Sequence, residues 1–157
     1  MIKNKDNKSL FRPSESIFIS AGIGDFFVLD GCFNDEFRSS VKKICYGTVA
    51  ARSIKELIDN CGAYDIENHH ILVEDGMTIF SISQLKNHFL KKQEFDKLRT
   101  LEGCRDLSIS TNFAKCLEYN NSSFLSYKLC DISINLPEKY HVLCPSSPNY
   151  MAGRNFN

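Results

Sequence analysis

The stretch from residue 16 to residue 27, SIFISAGIGDFF, constrains the fold more than any other. The apolar run Ile17-Phe18-Ile19 stops at Ser20-Ala21-Gly22-Ile23-Gly24, and Asp25 heads a second apolar segment, Phe26-Phe27-Val28-Leu29. A short apolar run bounded by glycines reads as a buried parallel strand, and the segment after it as a helix. The glycines permit a tight turn and let backbone N–H groups approach a ligand with no Cβ in the way. Asp25 then falls in the first turn of the helix, at the carboxyl end of the first strand. In open α/β sheets that edge is where ligands bind.

The rest of the chain repeats the strand–helix alternation. The pattern predicts a first strand over 16–20 and a helix from about 24 to 33. Asn34-Asp35-Glu36 then caps a short helical turn reaching Ser40. Residues 41–47, VKKICYG, read as a second strand. Thr48 opens a helix with Val49, Ile54, Leu57 and Ile58 on one face, ended by Cys61-Gly62. A third strand is expected over 70–73 and a further one over 78–82, with Ser83 capping a helix that carries Leu85, Phe89 and Leu90. Residues 91–103 read as a helix or an ordered loop, and 107–110 as a short edge strand. Residues 124–129 read as helical, and Tyr140-His141-Val142-Leu143-Cys144 as a last strand running into Pro145-Ser146-Ser147-Pro148-Asn149. Apolar, non-alternating strands between helices predict an α/β domain with a mainly parallel sheet.

At 157 residues the chain suits one domain of ordinary globular composition, 43% hydrophobic and 24% charged. Its 19 basic and 19 acidic residues balance, so no net field draws it to nucleic acid or an anionic membrane. No apolar run reaches membrane-spanning length, and the polar opening MIKNKDNKSLFRPS lacks the apolar core of a signal peptide. Seven cysteines, all at least 12 residues apart and several within apolar runs, suit reduced thiols in a cytoplasmic protein rather than a zinc site, which wants close ligand pairs. Residues 1–15 read as a flexible leader, 16–136 as the main domain and 137–157 as the start of a second.

Two segments carry candidate chemistry. Ala21-Gly22-Ile23-Gly24-Asp25 is not the dinucleotide fingerprint, whose third glycine would fall at Phe27. It leaves a helix N-terminus beside a carboxylate, and Asp25 serves either the helix dipole or as a general base toward a hydroxyl in the cleft. Ser146, Ser147, Asn149 and Arg154, with Gly153, suit a phosphate or diphosphate, or else form a plain turn with a surface arginine. His69 and His70 are adjacent on a strand and point to opposite faces, so they do not share a metal. Ser20 lacks the G-x-S-x-G elbow of a hydrolase nucleophile.

The strand running into Ser20-Ala21-Gly22-Ile23-Gly24-Asp25 resembles the opening of heptosyltransferase-like glycosyltransferases of the GT-B architecture, built from two Rossmann-like domains. Val142-Leu143-Cys144-Pro145-Ser146-Ser147-Pro148-Asn149, then Gly153-Arg154-Asn155-Phe156, resembles the start of the second domain in a branch of that family. Ser122-Ser123-Phe124-Leu125 is similar to that branch too. The resemblance implies a Rossmann-like three-layer N-terminal domain that takes part in transfer of a sugar from a nucleotide-sugar donor to the hydroxyl of a glycan or other acceptor, with no metal or other cofactor. It implies Asp25 as catalytic base, and Gly22, Ile23, Gly24, Ser146, Ser147, Asn149 and Arg154 as substrate and phosphate contacts. It implies as well that a missing second domain or a partner chain supplies most of the nucleotide pocket, so that this chain alone is inactive. Two other readings remain open: a non-catalytic Rossmann-like assembly module, and a nucleotide- or S-adenosylmethionine-binding enzyme. The last needs an acidic residue after the second strand, where Tyr46-Gly47-Thr48 stands instead.

Overall fold

The structure, a computed structural model, describes residues 9–73, 79–92 and 101–119. Their elements alternate as the sequence pattern requires: β1 (Ser16–Ile19), α1 (Ile23–Asp30), α2 (Asp35–Ser40), β2 (Lys43–Tyr46), α3 (Ala51–Cys61), β3 (Asn68–Ile71), α4 (Ile82–Lys92), β4 (Arg105–Asp106) and α5 (Ile109–Tyr119). The four strands form one sheet in the order β3-β2-β1-β4, and every pairing is parallel. This is an α/β, Rossmann-like arrangement. After their first residues, Ser16 and Lys43, the two central strands are buried and largely apolar because both of their faces are covered.

One face of β1 and β2 presents Ile17, Ile19, Ile44 and Tyr46 to a core completed by Phe26 and Leu29 of α1, Phe37 of α2, Ile54 and Ile58 of α3, and Cys116 of α5. The other face presents Phe18 and Cys45 to Leu85 and Phe89 of α4, with Val73, Ile79 and Leu101. The order of the strands accounts for this division. The steps β1 to β2 and β2 to β3 cross the sheet in one direction, placing α1 and α3 on one face. The connection from β3 to β4 returns across the whole sheet and carries α4 over the opposite face.

Local chemistry fixes the element ends. Asn34 caps α2 by accepting the Phe37 N–H at 2.9 Å. Gly62 ends α3 in the left-handed conformation, φ 68°, which a side chain would strain. Ser81, not Ser83, caps α4: its hydroxyl accepts the Gln84 N–H at 3.1 Å, while the Gln84 side chain accepts the Phe80 N–H at 2.7 Å. That reciprocal pair converts the strand expected over 78–82 into a helix start. The expected strand at 107–110 is also displaced. β4 is Arg105–Asp106; the Leu107 N–H adds one bond to Phe18 O, and the Asp106 carboxylate then accepts the Ser108 N–H at 2.9 Å and turns the chain into α5. β3 begins two residues earlier than expected.

Residues 9–15, read from sequence as part of a leader, are packed in place. Phe11 is buried against Phe33 and Phe37 at centroid distances of 5.4 and 6.0 Å, and Arg105 lies over its ring and donates to Arg12 O. The apolar character of Leu10-Phe11, inside a polar opening, was the available signal. The segments read over 122–129 and 140–144 lie outside the described residues.

Candidate functional site

The sheet order reverses between β1 and β4, and two helices start there: α1 after β1 and α5 after β4. Such a reversal at the carboxyl edge opens a crevice between the outgoing loops, and ligands of doubly wound sheets bind there. The two helices pack side by side. Their free N–H groups therefore emerge on the same edge.

Ser20, Gly22, Ile23, Gly24 and Asp25 all lie at this edge. Gly22 is the N-cap of α1, at φ −72° and ψ 173°, with no side-chain cap bond. Its backbone is extended, so any residue could adopt it. An added Cβ at Gly22 would meet nothing closer than the Asp25 Oδ2 at 3.6 Å, and one at Gly24 would meet nothing within 4 Å. Neither glycine is thus explained by backbone strain or by packing within the described residues. Ile23 is 40% exposed, Asp25 is exposed in the first turn, and Ser20 is buried at the strand end.

Gly47 contrasts with them. A Cβ there would fall 2.3 Å from the Phe18 ring and 3.3 Å from the Ile79 carbonyl oxygen. The Ile79 N–H in turn donates to Gly47 O at 3.0 Å. The end of β2 is thereby closed over by packing. The position where a dinucleotide or S-adenosylmethionine enzyme carries an acid holds this packed glycine, with Thr48 buried beside it. The Thr48 hydroxyl is engaged by the Ala50 N–H at 3.2 Å.

Sequence reasoning missed three polar clusters. At the far end of α1, Asp30 is fully buried; its carboxylate accepts from the Tyr64 hydroxyl at 2.7 Å and from Arg38 Nε at 3.3 Å, and its carbonyl from Arg38 Nη2 at 2.8 Å. Burial opposes charge on Arg38, but Asp30 and Tyr64 outweigh it and hold the guanidinium above its ordinary value. Asp106, half-buried after β4, accepts backbone N–H groups from Ser108 and Ile82. Burial still wins and pushes its carboxyl up. The third cluster joins α3 to the sheet: His69 Nδ1 lies 2.8 Å from the Tyr46 hydroxyl and Nε2 3.2 Å from Asp59 Oδ1. Burial keeps His69 below its ordinary value of 6.5 against the pull of Asp59, so the ring is neutral near pH 7. The Tyr46 O–H then donates to Nδ1, and Nε2–H donates to Asp59. Little in the sequence separates the first and third clusters from surface charge, since Asp30 lies 8 residues from Arg38 and 34 from Tyr64, and Tyr46 lies 23 from His69.

None of the five described cysteines is in a disulfide. Cys32 and Cys116 are buried in the larger core, and burial pushes the Cys32 thiol up to about 12. Cys45 and Cys104 stand on the opposite face, Sγ to Sγ 3.9 Å, with Cys104 half-exposed.

Among the described residues no helix is long and apolar enough to cross a membrane. Ser146, Ser147, Asn149 and Arg154 lie outside the described residues. Set against known proteins, the chain matches no family model, no curated protein and no solved structure.

Proposed function

We propose that the chain is a ligand-binding Rossmann-like domain working at the β1/β4 edge, as the acceptor-facing part of a glycosyltransferase-like catalyst. The observation that carries this reading is the exposed Asp25 carboxylate at a helix N-terminus with no side-chain cap, preceded by two glycines that neither strain nor packing among the described residues requires. In the reaction, an acceptor hydroxyl attacks the anomeric carbon of a nucleotide sugar and the bond to the diphosphate breaks. Asp25 takes the hydroxyl proton, and the nucleoside diphosphate leaves. The N–H groups at residues 22–24 meet the anionic substrate, as helix N-termini do. Ser146, Ser147, Asn149 and Arg154 are assigned to the diphosphate on sequence grounds. No step needs a metal, and described cysteines that form no disulfide suit a cytoplasmic setting.

The test is transfer from a panel of nucleotide sugars to hydroxyl acceptors, followed by mass spectrometry, with the complete gene product. Asp25→Asn should lower turnover by about 10²- to 10⁴-fold, the usual worth of a general base, while the unfolding midpoint stays put. Unchanged turnover would remove Asp25 from the chemistry. Ligand binding without any transfer would leave a binding module.

A further inference from the structure

We infer that Ser20 is a ligand-binding residue: its hydroxyl lies at the floor of the β1/β4 crevice and hydrogen-bonds a polyhydroxyl ligand, the acceptor of the reading above, on which this choice of ligand rests. Ser20 is 7% exposed and its side chain has no hydrogen-bond partner among the described residues. Burying a hydroxyl with no partner opposes folding, and native proteins rarely do it without a reason. Ser9, Ser14 and Ser40, all only half-buried, each donate to a backbone carbonyl, at 3.1, 2.8 and 2.7 Å. Lack of room does not explain Ser20, because alanine would fill the same space with no polar group to satisfy.

Its place in the sheet supports this. The buried serine and threonine side chains among the described residues are Ser20, Thr48 and Ser108, and they follow the ends of β1, β2 and β4 at the carboxyl edge. The ladder runs past the strand ends there: the Gly47 N–H donates to Ile19 O at 2.9 Å and the Leu107 N–H to Phe18 O at 2.8 Å. Continued by one pair toward β2 and two toward β4, the register sets Ser20 between Gly47 and Ser108. The other two members of this row serve the fold. Thr48 Oγ1 accepts the Ala50 N–H at 3.2 Å, and Ser108 gives its N–H to Asp106 at 2.9 Å where the chain turns into α5. Ser20 is left open.

Asp25 points to the class of ligand. A Cβ at Gly22 would lie 3.6 Å from its Oδ2, so the carboxylate lies back against the turn that joins Ser20 to α1. That Cβ would meet nothing else within 4 Å, so the space beside Gly22 is open. A carboxylate only accepts hydrogen bonds, whereas a hydroxyl both gives and accepts them. Neighbouring hydroxyls of one sugar match the two, the first donating to Asp25 and the second bonding Ser20. An oxyanion bonded to the same two side chains would face the Asp25 charge.

The test compares the full chain with its Ser20→Ala and Ser14→Ala variants. It reads thermal unfolding and, by nuclear magnetic resonance, titration with the methyl glycosides of glucose, galactose and mannose and with inorganic phosphate. Ser20→Ala should leave the unfolding midpoint unchanged or higher, since the unliganded fold loses no bond. It should weaken the best-bound glycoside by about 3- to 10-fold, the worth of one hydrogen bond. Ser14→Ala removes a hydroxyl that the fold uses, and should lower the midpoint with no effect on binding. A midpoint lowered by Ser20→Ala would show its hydroxyl to be spent within the fold and would overturn the assignment. So would equal glycoside affinity in the parent and Ser20→Ala chains, no glycoside binding at all, or dependence on Ser20 for phosphate alone. Asp25→Asn separates this inference from the reading beneath it. Ser20-dependent glycoside binding, with no transfer or with transfer indifferent to Asp25→Asn, keeps the binding residue and removes the catalytic role of Asp25. Transfer abolished by Asp25→Asn, with binding indifferent to Ser20, does the reverse.

Discussion

Helix α1 carries a carboxylate at each end, and the two are treated in opposite ways. Asp30 is at the carboxyl end, where the helix dipole opposes a negative charge. It is fully buried and held by Arg38 and Tyr64. Asp25 is at the amino end, where the dipole favours it, and it stands exposed after Gly22 and Gly24 at a terminus with no side-chain cap. The sealed end joins α1 to α2 and to Tyr64 beyond α3; it is architecture. The open end sits where the sheet order reverses, and no element among the described residues closes it. A carboxylate whose oxygens are taken by the protein has little left to offer a substrate, whereas one at an open helix start is free to meet it.

The largest effect is expected at the sealed end. Arg38→Met should strand the buried Asp30 charge and cost about 3–5 kcal/mol in urea unfolding. Replacing Asp30 and Arg38 together by apolar residues should recover most of that loss. If Arg38→Met alone proves mild, the pair is not the lock described here.

The glycines give the next effect. Gly47→Ala drives a methyl into the Phe18 ring and should destabilise by about 1–3 kcal/mol. Phe18→Leu in the same chain should relieve part of the cost, giving a non-additive double-mutant cycle. Gly24→Ala should act in the other direction, stabilising α1 by up to ~1 kcal/mol since nothing lies near the new methyl. That gain should come with weaker ligand binding if the open backbone serves a substrate; a gain without any loss of binding would reduce Gly24 to an accident of sequence.

The smallest effect is in pH. The folded state holds His69 below 6.5, so as the pH falls through that value the unfolded chain takes up the proton first. Stability should therefore fall as the pH drops below about 6.5, and His69→Gln should flatten the slope. A slope unchanged by that substitution would locate the titration elsewhere.

The parts of this fold that were legible in sequence are the local ones. Ile17-Phe18-Ile19 against Gly22, the cap at Asn34 and the stop at Gly62 each declare themselves within a few residues. Asp25 was legible at the start of α1 for the same reason. What stayed hidden depends on distant partners: the Tyr64–Asp30 bond spans 34 residues, and Gly47 is a glycine because of the Phe18 ring on the neighbouring strand. The Ser81 cap was misplaced by two residues because Ser81 and Ser83 are equivalent by composition, and only the return bond from Gln84 to Phe80 distinguishes them. The β4 boundary moved because a single Asp106 turn outweighs the strand propensity of Leu107 and Ile109.

If chemistry belongs to the open end of α1, ligands will perturb that end alone, and nuclear magnetic resonance reads this residue by residue. Titrating the isotopically labelled chain with nucleoside diphosphates, nucleotide sugars and simple glycans should shift backbone amides at residues 20–25 and 107–109, and leave those around Asp30, Arg38 and Tyr64 in place. Shifts centred on the Asp30 end, or on the closed end of β2 at Gly47, would contradict the account.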